Sequence, residues 1–411
     1  MDYNDLMHLC VAKNMYTQGE YFLSKQTILP IIEKHKNSPI INQDMCDLYV
    51  SYDNICNVFG EVNCLFDKME HIFNNLSKIE VSREFHIFFH TIYCTSLLRQ
   101  KRYNEAKNLL CYQNYINIPG INFLDMSFFK SIDKDKILFI YYSGGIGDYI
   151  MFGRIVHELC NTYKNNKIIW FISFSSLMWL FEKVFGHYTN LLLLNDQQIK
   201  YLKHFDYHCS LLQLYKNMNY TTYESIIFFP YLGKIRLNYY SKHEFFLERI
   251  SKNKQYRKKI VLNWKGNPNN GHEKHNRGIQ LQNMINLLEI KDICWIIVNK
   301  CISSDELEIF KKYKNVYILI HEIPNFDHPK SFYDTMIILK HVDCVISTDT
   351  SIVHIALTMG IQTYVLLTKG CEWRWTHDKI TKWYPEAKLI RQKKMQDWSN
   401  VIQELKITIL K

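Results

Sequence analysis

The feature that most constrains this 411-residue chain is a change of hydrophobic period near Lys136. Before it, apolar residues recur at i, i+3 and i+4 through Leu6–Ile32, Met45–Phe73 and Phe85–Leu110, the spacing of a helix with one buried face. After it, short continuous apolar runs alternate with turn residues and helical stretches. The run Ile137–Tyr142 ends in Ser143-Gly144-Gly145-Ile146-Gly147-Asp148, leads into a helical pattern over Tyr149–Tyr163, and is followed by a second run, Lys167–Phe174. Strand, helix, strand in that order makes a parallel sheet covered on both faces. The pattern restarts after the basic, aromatic stretch Leu237–Lys259. Strands are predicted there at Lys259–Trp264, Ile293–Val298, Asn315–Ile320, Asp343–Ser347 and Gln362–Leu367. The chain is therefore predicted to be α/β, with two doubly wound domains behind an all-α region.

Each helical segment breaks in its middle, at Gln18–Tyr21, Phe59–Glu61 and Arg99–Tyr103. Breaks spaced by roughly forty residues suggest stacked helical hairpins of the solenoid kind. The stretch Leu97–Ala106 resembles the turn of a tetratricopeptide unit, with Lys101 where a small residue is usual. A degenerate tetratricopeptide-like region and an ordinary helical cap both fit. The expected boundaries are 1–130 for the helical region, 131–245 and 246–395 for the two α/β domains, and 396–411 for a terminal helix.

Apolar residues make up 47% and charged residues 22%, enough to bury real cores and too little charge for disorder. Fifty Lys and Arg against forty Asp and Glu leave a net charge of +10, spread along the chain apart from small knots such as Lys252–Lys259. That balance suits an anionic small ligand, and without an aromatic RNA-binding signature it gives no case for nucleic acid. The twelve cysteines include no C-x-x-C pair or Cys/His cluster at zinc spacing, so structural thiols and no metal site are expected. No apolar run is long enough to span a membrane, and the start Met1-Asp2-Tyr3-Asn4-Asp5 lacks the basic and apolar regions of a secretory signal. The expectation is a cytoplasmic protein without a transmembrane segment.

Three loops carry chemistry. Gly144-Gly145-Ile146-Gly147-Asp148 is neither G-x-G-x-x-G nor a P-loop, yet it ends a buried strand and puts an acid at a helix start. At the carboxyl edge of a parallel sheet, that is where ligands bind. Asp148 is there either a helix cap or a catalytic base. In Asp343–Gly360, a strand is followed by Asp349-Thr350-Ser351 and a helix with His354 one turn in. The amides of Thr350, Ser351 and Ile352 suit a diphosphate, and a capping box without function is the alternative. The segment from Asn263 and Lys265 to Lys274 and Arg277 carries cations able to neutralise phosphate; a solvated basic loop is equally open.

Several of these segments together resemble glycosyltransferase family 9, the heptosyltransferase family, and within it the bacterial branch with N-terminal tetratricopeptide repeats. Tyr142–Arg154 is similar to that family's opening G-x-G-D loop. Phe205–His208 with Pro230–Leu232, Asn263–Pro268, Asp334-Thr335 and Ser347–His354 are similar to its later motifs, in order. Glu372-Trp373-Arg374-Trp375, Trp383-Tyr384-Pro385, Arg391-Gln392 and Asp397-Trp398 resemble its tail. Lys265 stands where the branch often has a small residue, and Val298-Asn299-Lys300 replaces a usual L-Q pair.

The resemblance implies a GT-B fold, two Rossmann-like domains facing across a cleft, with the terminal helix crossing back onto the first. It implies a metal-independent inverting transfer of a hexosyl or heptosyl group from a nucleoside-diphosphate sugar to a hydroxyl of a protein or glycan, with no cofactor. Asp148 would be the base. Gly145, Gly147, Asn263, Lys265, Lys274, Arg277, Asn299, Asp349, Thr350, Ser351, Ile352 and His354 would surround the nucleotide sugar. The helical region would help present the acceptor. The alternative is a helical-repeat adaptor that binds a nucleotide sugar but has lost activity.

Overall fold

The structure, a computed structural model, describes the chain except residues 39–41, 62, 64, 76–77, 79–82, 110–126, 129–134, 142–143, 212–213, 215–217, 219–227, 270–272, 274–276, 376–377 and 411. Six helices come first: α1 Tyr3–Thr17, α2 Tyr21–His35, α3 Gln43–Phe59, α4 Phe66–Asn75, α5 Arg83–Arg99 and α6 Tyr103–Leu109. They form three hairpins, and the turns fall at the three breaks in the sequence pattern. The chain takes a left-handed conformation at each: Gly19 at φ 84°, Gly60 at φ 60° and Lys101 at φ 61°. Lys101 thus does what glycine does at the earlier turns, at a cost of about 1 kcal/mol in backbone strain. The starts are capped, Asp2 accepting from the Asp5 N–H at 2.9 Å and Asn42 from the Met45 N–H at 3.0 Å. Buried Asp53 ties α3 to α5, accepting from Asn63 and Ser96 at 2.9 Å each and pairing with Arg99.

Two all-parallel sheets follow. The first orders its strands β1-β5-β2-β3-β4, from β1 Ser127–Phe128, β2 Ile137–Tyr141, β3 Lys167–Phe171, β4 Leu191–Leu194 and β5 Tyr207–Ser210. The two-residue β1 pairs with Tyr207 and His208, inside the stretch expected to close the helical region at 130. An edge strand this short carries no readable period. The second sheet holds β6 Lys258–Asn263, β7 Ile293–Ile297, β8 Val316–Ile318, β9 Cys344–Thr348, β10 Thr363–Leu367 and β11 Ala387–Arg391 in the order β11-β10-β9-β6-β7-β8. Counted within the sheet this is the 3-2-1-4-5-6 order of a Rossmann fold. The arrangement is α/β, two Rossmann-like halves behind a helical region.

Strand alternation sorts the second sheet's residues. Leu262, Trp295, Ile346, Leu366 and Ile390 share one core. Val261, Ile296, Val345 and Val365 belong to another, continuous with the apolar faces of the first half and the helical hairpins. Cys46, Cys160 and Cys294 sit in the larger core and Cys344 in the other, and burial pushes each thiol up to about 12. No described helix is long and apolar enough to cross a membrane.

Two expected boundaries move. Helix α7 (Ile146–Thr162) and α8 (Met178–Phe185) flank the first sheet, but α9 (Ser241–Lys252), which the expected break at 245 would cut, belongs with the second. Its Lys242 and His243 hold Asp334 at 2.9 and 2.7 Å, and Arg249 pairs with Glu322. The terminal helix, Ser399–Leu410, does not cross back. Its Val401, Ile402, Leu405 and Ile409 complete the second sheet's own outer core, and Lys258 donates to the Ile409 carbonyl at 2.9 Å. The apolar stripe finds its complement on the sheet it follows, so nothing is left to send it elsewhere. Leu405→Ala should therefore destabilise the chain by about 2–5 kcal/mol in urea unfolding; a negligible change would show that this helix is not part of that core.

Candidate functional site

In open parallel sheets, ligands bind at the carboxyl edge where strand order reverses. The first sheet reverses between β2 and β5, and the second between β6 and β9. The loops carrying Asp148, Lys265 and Asp349 leave from those strands.

β2 delivers Gly144 and Gly145, and α7 begins at Ile146. Asp148 lies in the first turn, where one carboxylate oxygen accepts from the Gly145 N–H at 2.9 Å. It is a helix cap, then, and more. Its other oxygen lies 2.7 Å from the guanidinium of Arg374, which comes from the second half. Both side chains are mostly buried, at 14% and 16% exposure. Gly147 meets the opposite half directly, since a Cβ there would lie 2.5 Å from His354 Cδ2. The glycine is required by this approach of the two halves.

Across the cleft, β9 ends in Asp349 and Thr350, and α10 here denotes Ser351–Thr358, the helix that follows. The first-turn N–H groups from Thr350 to Ile352 have no carbonyl of their own helix to bond, and they carry the positive end of its dipole. His354 Nδ1 pairs with the Tyr384 hydroxyl at 2.8 Å, and Nε2 lies 3.8 Å from the Asp349 carboxylate. Burial works to raise the pKa of Asp349, but hydrogen bonding and charge from His354, then Arg277 and Arg374, hold it at about 2. Asp349 is a fixed anion that orients the cations around it.

The two asparagines named from the sequence brace the loops rather than face a ligand. Asn263 donates to Ser347 Oγ at 3.2 Å and to Thr350 Oγ1 at 3.0 Å, and accepts from Asn299 at 3.0 Å. Asn299 also donates to the Lys265 carbonyl at 2.8 Å and accepts from the Cys301 N–H at 2.7 Å. With 3% and 7% exposure, their amides are committed internally. Lys265 pairs with Glu306 at 2.6 Å, and Arg277 with Glu273 at 2.7 Å. Burial of Glu306 works against its charge, yet bonds from Lys265, the Ser303 N–H and Trp264 keep it lowered. Lys274 lies outside the described residues.

Sequence reasoning assigned no role to Arg374, Tyr384, Glu306 or Glu273. A local signal existed for Arg374 and Tyr384, which lie in the tail segments Glu372–Trp375 and Trp383–Pro385. Further contacts hold the halves closed around these groups. Arg154 of α7 donates to the Trp383 carbonyl at 2.8 Å, while Tyr231 ties the connecting segment to α7 through the Ile150 carbonyl at 2.6 Å. The Leu232 N–H donates to the Thr358 carbonyl at 3.1 Å. The result is a carboxylate facing a helix N-terminus, with two arginines around a buried aspartate. Among the described residues no cluster of three or more His, Cys, Asp or Glu side chains is placed to hold a metal.

Gly147→Ala should cost about 1–3 kcal/mol in urea unfolding through overlap with His354. In a His354→Ala background the same change should be neutral or stabilising, because alanine suits a helix better than glycine; equal penalties in both backgrounds would place no contact between them. Asp349, lowered relative to the unfolded chain, adds stability that is complete above about pH 4 and is lost as pH falls toward 2. Asp349→Asn should remove that part of an acid-unfolding curve.

No protein-family model and no curated protein sequence matches the chain. Solved structures do. A family 9 glycosyl transferase from Veillonella parvula matches over 68% of this chain and 97% of its own, at 8% identity and a TM-score of 0.43. The E. coli ADP-heptose lps heptosyltransferase II matches over 67% and 98%, at 11% identity and a TM-score of 0.39. The E. coli heptosyltransferase WaaC, solved with ADP-2-deoxy-2-fluoro heptose, matches over 67% and 100%, at 11% identity and a TM-score of 0.38. The functional reading rests on this chain's own residues.

Proposed function

We propose that this chain is a cytoplasmic, metal-independent inverting glycosyltransferase. It moves a hexosyl or heptosyl group from a nucleoside-diphosphate sugar to a hydroxyl of a protein or glycan, which the helical region helps to present. One observation carries the reading: Asp148, on the first half's switch-point loop, pairs with Arg374 of the second half, and its neighbour Gly147 abuts His354.

In this reading the diphosphate lies against the Thr350–Ile352 amides, with Arg277 and Arg374 as its cations and Lys265 nearby. The acceptor oxygen attacks the anomeric carbon while the bond to the diphosphate breaks, and the hydroxyl proton passes to Asp148. Base and leaving group come from opposite halves, which lets them flank the anomeric carbon on the opposite faces that in-line displacement with inversion requires. The departing charge falls on preorganised amides and guanidinium groups, which supplies the stabilisation a metal would otherwise give. Asp148 is engaged on both oxygens, by Gly145 and Arg374. A bound diphosphate offers Arg374 a competing anion and frees the carboxylate oxygen that the acceptor needs. His354, held by Tyr384, supports the turn.

The second reading, an inactive nucleotide-sugar-binding adaptor, is favoured by one observation: Lys265, Arg277 and Asp148 all carry internal ion-pair partners. A thermal-shift screen against UDP-, GDP-, ADP- and CMP-sugars should give a selective rise in melting temperature by mass action. Asp148→Asn should keep that rise and lower turnover by about 10²–10⁴-fold, and excess chelator should leave turnover intact. A shift without any sugar transfer by the native chain would favour the adaptor. Turnover that survives Asp148→Asn would remove Asp148 as the base.

A further inference from the structure

Three cavities line up between the helical hairpins and the carboxyl edge of the second sheet. The outermost, about 230 Å³, lies among α1, α3 and α5, where Ala12, Val50, Ile55 and Phe88 form an apolar wall. It shares Tyr16 and Asn54 with a second cavity of about 320 Å³, which is also lined by Thr368, Glu372 and Gln392. That cavity in turn shares Thr368, Gly370 and Glu372 with a third, of about 60 Å³, lined by Arg277 and Asp349. Adjoining cavities therefore lead from the hairpins toward the candidate site, and we refer to them together as a track.

Its lining has a pattern. Gln392 is 3% exposed, and its side-chain NH₂ group has no hydrogen-bond partner, while its carbonyl oxygen accepts from the Lys369 N–H at 3.3 Å. A buried donor left unmatched is costly unless a ligand supplies an acceptor. Asn54 and Asn57 line the same cavity, and among the described residues their side-chain amides bond to nothing in the protein. Amide side chains both donate and accept, which matches the alternating N–H and C=O groups of an extended backbone. Phe88, 46% exposed, offers its ring to whatever enters the outer cavity. A saccharide polymer has no apolar side chain to fill that wall; a polypeptide does.

We propose that this track holds the acceptor as an extended polypeptide segment. An apolar side chain sits in the outer cavity, a backbone carbonyl accepts from Gln392, and a serine or threonine hydroxyl is carried toward Asp148. The hydroxyl's fate rests on the glycosyl-transfer reading above; the track itself does not.

The test uses the full chain, fluorescently labelled, on an array of short Ser- and Thr-centred peptides in a Gly/Gln background. A single Leu is placed at each offset from the centre, and a parallel array carries oligosaccharides. Binding should concentrate at one Leu offset. Phe88→Asp and Gln392→Met should each weaken it by about tenfold or more. Neither should alter the melting temperature materially or the shift produced by the nucleotide sugar that the screen selects. Binding that ignores the Leu offset, survives both substitutions, or appears on oligosaccharides in place of peptides would overturn the proposal. Offset-dependent peptide binding together with a blank nucleotide-sugar screen would uphold the track and sink the transfer reading. A positive screen with a blank peptide array would overturn the track and leave the nucleotide-sugar site standing.

Discussion

The pairing of Asp148 with Arg374 is the interaction on which the site depends. Two opposite charges from separate halves lie mostly out of water, and each would be expensive to bury alone. Together with the contact of Gly147 on His354, the pair sets how closely the switch-point loops approach. Without that approach Asp148 would be an ordinary helix cap and the Thr350–Ile352 turn an isolated anion-binding geometry.

Charge matching extends through the second half. Two cations that make the Asn263–Arg277 segment look like an exposed basic patch are held by acids, Lys265 by Glu306 from a distant segment and Arg277 by Glu273 one turn earlier. Among the described residues of that segment, neither Lys265 nor Arg277 is a free positive charge despite the chain's net charge of +10. An incoming anion must compete for guanidinium groups already in use, a requirement that discriminates against weakly charged ligands.

Much of the architecture was legible because it is written locally. Gly19, Gly60 and Lys101 mark the hairpin turns, and the runs at Ile137, Lys259, Ile293 and Asp343 mark central strands buried on both faces. Four strands escaped notice. Three lie at sheet edges: β1 with two residues, β4 with four partly exposed leucines, and β11, where Lys388 and Arg391 interrupt the apolar run. The fourth, β5, is internal but is only Tyr207-His208-Cys209-Ser210, too short and too polar to read as an apolar run. The terminal helix was placed by analogy, and its own stripe of Val401, Leu405 and Ile409 gave no indication of which sheet it would meet. In the site, Gly147, Asp148 and the Asp349–His354 turn were legible because strand–turn–helix order exposes them. The roles of Arg374, Tyr384 and Glu306 were not, since each acts on a residue distant in the chain; the tail motifs contain Arg374 and Tyr384 but do not show what they pair with. Asn263 and Asn299 were visible as polar residues at strand ends, but burial, which decides between contact and brace, is not a local property.

The hairpins seat themselves on the second half. Gly60 abuts the Lys369 carbonyl, a side chain at Gly370 would strike the Asn57 and Val58 carbonyls, and Lys101 reaches Asp378. The loop so gripped, Thr368–Glu372, borders the same small cavity as Asp349. Any breathing of the cleft would then carry hairpins, track and donor turn as one jaw. The part that swings away would be the one bearing Asp148, so release of product and re-arming of the carboxylate would be a single motion.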